Sequence, residues 1–366
     1  MSAPVSTLAP CKLALLFGGR SAEHEVSLES ARNIYEALDK ERFEVTLIGI
    51  AKDGQWYHDA EGKVLQGYST FTELAPVSLQ PGSEKPLLVH GKTPQSLGVD
   101  VVFPVLHGTY GEDGAVQGLL KMLGLPFVGS GVLGSSASMD KELMKRLLVQ
   151  ADIPTAPWVS CHASQKENFS SDYVASQIGE YPWFVKPANL GSSVGIHKIN
   201  SEADFKAAIT DAFLYDQKIL IEKGLDCREI ECAVLGNRGN SQISVPGEIV
   251  VNAEFYSYEA KYVDADGATL CIPAELNDTV RQRIQTLALK TFEVLEAEGL
   301  ARVDCFLTHN NEVYMNEINT LPGFTRISMY PKLWEATGIN YRDLLNQLVD
   351  LALIRSAEEQ KLKTSF

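Results

Sequence analysis

An apolar run at residues 12–17 stops at Gly18-Gly19, helical spacing follows from about residue 27 to 38, and a second apolar run occupies 43–50. On the helical stretch Leu28, Ala31, Ile34, Tyr35 and Leu38 share one side. Strand, helix, strand in that order opens a parallel α/β domain. A third run at 101–106 supplies another strand. Residues 51–97 scatter Gly, Pro and Ser, and read as an elaboration of the same domain.

Beyond residue 106 the chain enters His107-Gly108-Thr109-Tyr110-Gly111-Glu112-Asp113-Gly114, then a helix to about 123. A further helix is expected from about 138 to 150, after which Pro154 and Pro157 break the chain. A strand at 183–186 empties into Pro187-Ala188-Asn189-Leu190-Gly191-Ser192-Ser193-Val194-Gly195. A strand at 196–199, a helix at 202–213 and a strand at 218–222 complete a small α+β unit that ends near Gly224. The last third carries a long helix (278–298), two strands (302–307 and 312–317) and a terminal helix (341–355). The expected division is 1–130, 131–222 and 223–366, which suits 366 residues at about 100–150 per domain.

Composition excludes several partners. The 32 Lys and Arg against 47 Asp and Glu leave a formal charge of −15. Such a surface repels phosphate backbones and anionic lipid, so neither nucleic acid nor membrane is expected to bind. A nucleotide needs only local positive charge and Mg²⁺. Cys11, Cys161, Cys227, Cys232, Cys271 and Cys305 show no zinc-ligand or C-x-x-C spacing, a scatter typical of reduced cytoplasmic thiols. The N-terminus has no signal-peptide pattern and no apolar stretch of about 18 residues occurs, so a cytoplasmic location is expected.

The two strands near the C-terminus concentrate chemistry. A two-residue Asn310-Asn311 turn tolerates the positive φ of type I′ and pairs His309 with Glu312. In that register Asp304 faces Glu317 and Arg302 faces Asn319, and residues two apart share a face. Facing carboxylates repel unless a cation lies between them, and oxygen ligands of this kind suit Mg²⁺. The other face holds Val303, Cys305, Leu307, Val313, Met315 and Ile318, so the pair is half buried. The alternative is a solvated outer face with chance charges.

Three loops are more ambiguous on their residues alone. Asn189–Gly195 offers glycine N–H groups and serine hydroxyls to phosphate, with Lys186 just upstream; a tight turn of small residues reads equally well. It is not a Walker A loop, since no Gly-Lys-Ser/Thr follows. Gly18-Gly19-Arg20-Ser21-Ala22-Glu23-His24-Glu25-Val26-Ser27 sits at a strand end, where α/β sheets collect ligands, but more simply marks a helix start capped by Ser27. Tyr256–Tyr262 lies in a polar, aperiodic stretch, about 247–271, which is either an active-site lid or an exposed loop. Gly129-Ser130-Gly131-Val132-Leu133-Gly134 matches the dinucleotide pattern, but its context lacks the preceding strand and the following acid-ended strand.

In order along the chain, these motifs resemble those of D-alanine–D-alanine ligases of the ATP-grasp superfamily. The resemblance covers nearly everything after about Lys12. It rests on Gly18-Gly19-x-Ser-Ala-Glu23-x-Glu25-Val-Ser, His107-Gly108-x-x-Gly-Glu-Asp-Gly, Ser138-Met-Asp-Lys141, Gly191-Ser192-Ser193-Val-Gly, Glu259-Ala-Lys261-Tyr262, Arg302-Val-Asp304, and Asn316-Glu317-Ile-Asn319-Thr-x-Pro-Gly323. It implies a three-domain ATP-grasp fold: an N-terminal parallel α/β domain, and a nucleotide site between the central and C-terminal domains. The implied activity is ATP-dependent joining of two D-alanine molecules through a D-alanyl phosphate, for peptidoglycan precursors.

By the same resemblance, Lys141, Lys186 and Lys261 contact ATP phosphates, with Ser192 and Ser193 on the phosphate loop. Glu222 and Glu229 are the adenine and ribose contacts. Asp304, Glu317 and Asn319 hold two Mg²⁺ (or Mn²⁺). Arg302 and the N–H of Gly323 stabilise the tetrahedral oxyanion. Glu23 holds the first ammonium, Ser192 and Tyr262 complete a hydrogen-bonded set, Ser328 and Lys261 bind the second carboxylate, and His107 lies near the first substrate. A homodimer is implied. Leu321 departs from the family's usual Ser. The rivals are a D-lactate or D-serine ligase, the lactate form being opposed by Tyr262, and a non-catalytic ATP-grasp binding protein, opposed by the intact Arg302, Asp304, Glu317 and Asn319 set.

Overall fold

Three sheets succeed one another along the chain in the computed structural model, which describes residues 9–192, 194–251 and 268–363. The first has seven strands: β1 (Cys11–Gly18), β2 (Phe43–Ile50), β3 (Trp56–His58), β4 (Ala75–Leu79), β5 (Leu87–Val89), β6 (Gln95–Leu97) and β7 (Val101–Val105). Their order is β6-β5-β4-β3-β2-β1-β7. β1 pairs in parallel with both β2 and β7, as the alternation of strand and helix α1 (His24–Ala37) requires. The irregular stretch after residue 50 turns out to extend the sheet edge with four short antiparallel strands.

The second sheet is β10-β9-β11-β8, from β8 (Trp158–His162), β9 (Trp183–Pro187), β10 (His197–Ile199) and β11 (Lys218–Lys223), and the helices α5 (Ser171–Ile178) and α6 (Glu202–Ala212) pack on it. The third is built around β12 (Cys227–Gly236), β16 (Gly299–Thr308) and β17 (Val313–Asn319). It includes β13 (Gln242–Ile243), β14 (Gly247–Val251) and β15 (Ala268–Cys271).

Three sequence readings are corrected. The helix expected at 138–150 is two: α2 (Ala115–Met122) is followed by α3 (Val132–Met139) and α4 (Lys141–Gln150), with Asp140 capping α4 by accepting from Leu143 N–H. Ser27 is no cap, because α1 begins three residues earlier. Its hydroxyl accepts from Gly18 N–H at 2.7 Å and donates to Val105 O, joining α1 to two strand ends. The hairpin turn holds three residues, 309–311, because Thr308 rather than His309 pairs with Glu312 (N–H to O, 3.0 Å), with Asn311 at φ +62. That shifts the ladder by one, so Leu307 faces Val313 and Cys305 faces Met315. A bulge then adds Asn316, and beyond it Asp304 faces Glu317 and Arg302 faces Asn319.

Packing crosses the divisions between sheets. The last helices, α8 (Met329–Thr337) and α9 (Tyr341–Glu359), bury Trp334, Leu344 and Leu348 in one core with Leu13, Phe103 and Val105 of the first sheet. Arg355 on α9 donates to Phe127 O at 2.7 Å. Met144 and Leu148 of α4 share a core with the helix α7 (Asp278–Val294) and with Cys232, Cys305 and Met315 of the third sheet. The first and third sheets are therefore held in register with each other around the loops that leave them.

Candidate active site

Four loops or strand ends converge. Glu23 lies at the N-terminus of α1, 7% exposed, and accepts a hydrogen bond from Ser192 Oγ of the glycine-serine loop. Sequence distance between the two is 169 residues, so this contact is what joins the first motif to the fourth. Gly108 takes φ +72 beside them, and a Cβ there would meet Glu23 Oε2 at 2.5 Å. Only glycine lets the His107–Gly114 loop pass this close.

The acidic strand pair forms the floor. Arg302 donates from Nε and Nη2 to the two oxygens of Asp304 at 2.8 and 2.7 Å, a forked geometry open to arginine alone among the cations. Glu231 of β12, opposite Asp304 in the ladder, lies 3.0 Å from the same guanidinium. Burial opposes the Arg302 charge, but the neighbouring carboxylates hold the guanidinium's pKa well above its ordinary value. Asn319 Nδ2 reaches Asp304 at 3.1 Å, and Lys141 Nζ stands 3.6 Å from Glu317. Among the described residues no three His, Cys, Asp or Glu side chains make a metal cage by themselves. Two carboxylates and an amide on adjacent strands instead fit a hard cation that draws its remaining oxygens from phosphate and water.

The cationic wall faces this floor. Lys141 opens α4 and donates to Leu190 O at 2.6 Å, which ties it to the glycine-serine loop. Lys186, at the end of β9, reaches Asn316 Oδ1 at 3.4 Å. The bulge thus presents an extra amide to the lysine. Lys186 also pairs with Glu222, as does Lys145 of α4. Burial alone would raise the Glu222 pKa, but the two ammoniums depress it to about 2. Glu222 is 2% exposed, so the structure places it between two lysines inside the wall. Glu229 lies on β12.

Above the floor, the segment after β17 is pinned from two sides. His107 Nδ1–H donates to Leu321 O at 3.0 Å. A carbonyl only accepts, so the neutral ring's Nε2 is left to accept from Ser30 Oγ at 3.3 Å. Burial lowers the His107 pKa and keeps it neutral. Ser30 Oγ in turn accepts from Phe324 N–H. The Leu321 side chain is buried, and a Cβ on Gly129 would meet it at 3.0 Å; the apolar residue in place of Ser is packed, with the backbone left to the site. Gly323 lies against Ser328, whose Oγ a Cβ at Gly323 would meet at 2.8 Å. Ser328 Oγ also accepts from Thr325 N–H at 2.9 Å.

Glu112, Ser138, Lys141, Gly191, Glu317 and Asn319 line the cavity between wall and floor. Ser193, Lys261 and Tyr262, and most of the expected lid, lie outside the described residues. Three ionisable residues, two of them buried and Glu112 half-buried, escaped the sequence reading. Glu112 accepts from Gly108 N–H at 2.7 Å, and burial, with Glu23 nearby, pushes its carboxyl up to about 8. Glu231 is 5% exposed. Lys145 had a legible signal: Lys141, Met144, Lys145 and Leu148 all lie on the buried stripe of α4, and a lysine in such a stripe needs a partner.

A glycine-serine loop and a lysine wall facing an acidic, arginine-bearing strand pair define an ATP-grasp carboxylate–amine ligase. Residues 12–130 match the family described as D-ala D-ala ligase N-terminus, and 147–350 match D-ala D-ala ligase C-terminus. The chain belongs to the D-alanine–D-alanine ligase family. It is 52% identical to the D-alanine–D-alanine ligase of Shouchella clausii, over 98% of this chain and 99% of that one. It is 48% identical to D-alanine–D-alanine ligase A of Escherichia coli, over 97% and 99%. Among solved structures, the D-alanine-D-alanine ligase from Coxiella burnetii superposes with a TM-score of 0.83 at 37% identity, covering 96% of this chain and 97% of that one. The VanG D-Ala:D-Ser ligase from Enterococcus faecalis gives 0.84 at 34%, covering 94% and 99%.

Proposed function

We propose that the chain joins two D-alanine molecules at the cost of one ATP, with the residue roles that follow. The contact between Ser192 and Glu23 carries the reading, because it brings a substrate-ammonium site and a phosphate loop together. Glu23 holds the ammonium of the first D-alanine. The carboxylate oxygen of that first D-alanine attacks the γ-phosphorus, the bond to the ADP oxygen breaks, and the D-alanyl phosphate forms. The amine of the second D-alanine, after losing a proton, attacks the carbonyl carbon. Arg302 and the Gly323 N–H stabilise the oxyanion, a term that depends on donors fixed beforehand. The carbonyl then re-forms as phosphate leaves.

Lys141, Lys186, Lys261 and the Ser192–Ser193 loop bind phosphate, Glu229 meets the ribose, and Ser328 with Lys261 takes the second carboxylate. Glu222 is the expected adenine contact; both its oxygens meet lysines, so on this reading it serves nucleotide binding through Lys145 and Lys186. Asp304, Glu317 and Asn319 would hold two Mg²⁺ (or Mn²⁺), which would neutralise phosphate charge. Tyr262 joins the Glu23–Ser192 pair. No helix of the described residues is long and apolar enough to cross a membrane, and the same reading makes the enzyme a cytoplasmic homodimer. Incubation with ATP, Mg²⁺ and D-alanine tests it by phosphate release and dipeptide yield. D-Lactate and D-serine serve as competing second substrates. Phosphate release without dipeptide, or preference for either competitor, overturns the assignment.

A further inference from the structure

We propose that Lys145 is a positioning residue for nucleotide binding: by occupying one oxygen of Glu222 it keeps the Lys186 ammonium available to phosphate. The proposal rests on the ATP reading of the site. Lys145 is 1% exposed and pairs with Glu222 Oε1, while Lys186 pairs with Oε2. The three charges sum to +1 in a place almost closed to water. Burying such a set costs several kcal/mol per ion, and apolar replacements of buried pairs are often neutral or stabilising. Stability alone therefore gives no reason for the second lysine.

Charge balance supplies one. A lone Glu222–Lys186 pair is neutral, and the lysine must leave its carboxylate to meet an anion. With Lys145 on the other oxygen, the carboxylate is shared and the surplus positive charge is left to Lys186, whose Nζ reaches Asn316 Oδ1 of the acidic strand pair. Geometry adds a second effect. Lys145 stands one helical turn after Lys141 on α4, so its bond to β11 fixes the helix that carries one phosphate lysine against the sheet that carries the other. Lys186 and Glu222 are diagonal neighbours on β9 and β11, since Lys186 faces Leu220. Lys145 reaches this pair from outside the sheet, and Lys218 of β11 also joins the sheet to α4, pairing with Asp140 and Glu142 at the helix start.

The test measures ATP·Mg²⁺ binding by calorimetry, with steady-state kinetics alongside, in wild type, K145M, K145R and K145M/E222Q. K145M is expected to weaken ATP binding by about tenfold, the scale of one charge-assisted contact, and to leave KM for D-alanine within about twofold. K145R keeps the cation and should bind ATP nearly as wild type does. The double variant removes the competitor for Lys186 together with its neutraliser, so it should regain most of the lost affinity. That non-additive recovery is a result loosened packing does not produce. Unchanged ATP affinity in K145M overturns the proposal, and so does a double variant that binds no better than K145M. If K145M does not fold, the double decides, failing the proposal if its affinity is tenfold or more below wild type. Wild type that binds no ATP would overturn the functional reading itself, whereas normal wild-type binding with an indifferent K145M sinks the Lys145 role alone.

Discussion

Asp304 and Glu317 face each other on β16 and β17, one residue away from a bulge that turns Asn316 toward Lys186. Two carboxylates in such positions repel in the absence of a cation. Arg302 and Asn319 engage Asp304, and Lys141 approaches Glu317. Glu317→Gln keeps the shape and removes one charged ligand. Ligation is expected to fall by two orders of magnitude or more, about 3 kcal/mol in the barrier, with the thermal midpoint nearly unchanged because the side chain is partly exposed. Rates across a Mg²⁺ titration check this: near-normal activity at limiting Mg²⁺ rules out the metal role.

The expected facing of Asp304 and Glu317 was correct for a reason only partly legible. A two-residue turn gives that pairing in an unbroken ladder. The protein reaches it with a three-residue turn and a compensating bulge. The trace was present: Val313 and Met315 alternate in phase, but Ile318 is three residues on from Met315, and all three are buried. A regular strand cannot place both sets on one face. The parallel unit at the start was legible because apolar strands bracket an amphipathic helix. The Lys145–Glu222–Lys186 set was not, because its members lie on three elements brought together only by tertiary packing.

Glu112 should impose a pH slope on stability. Burial pushes its carboxyl up to about 8 in the folded chain against 4.5 as the ordinary value, with Glu23 and Arg302 as ionisable neighbours. Between these values the unfolded chain has released the proton and the folded chain keeps it, so stability falls as pH rises, by up to about 1.4 kcal/mol per pH unit from this group. Glu112→Gln removes the titration. Urea midpoints at pH 5.5 and 8 should show the variant gaining on wild type at the higher pH, and parallel behaviour of the two would refute the shift.

Gly108→Ala should disturb the first substrate more than the nucleotide. The new Cβ would meet Glu23 Oε2 at 2.5 Å and Ser21 Oγ at 2.8 Å, at a φ of +72. Backbone strain of about 1–3 kcal/mol is expected, with Glu23 displaced from Ser192. KM for the first D-alanine should rise severalfold while ATP affinity holds. A rise confined to ATP would mean that Glu23 does not bind the ammonium.

The choice of second substrate is expected to lie with Tyr262, since ligases sharing this backbone use different ones. D-Alanine and D-lactate differ at the attacking atom, an amine against a hydroxyl, and near neutral pH the amine is mostly an ammonium that must lose a proton. On the proposed reading Tyr262 would add a phenol to the Ser192–Glu23 hydrogen bond and orient that nucleophile. Tyr262→Phe keeps the ring and deletes the hydroxyl. Dipeptide formation should drop by one to two orders of magnitude, the cost of about 1.5–3 kcal/mol for a hydrogen bond to a charged group. Relative acceptance of D-lactate should rise, because a hydroxyl nucleophile carries no extra proton to be managed. Measuring kcat/KM for both second substrates at two pH values separates this from simple packing, which predicts a nearly silent Phe. A ratio that stays constant would assign the choice of nucleophile to other side chains of the site.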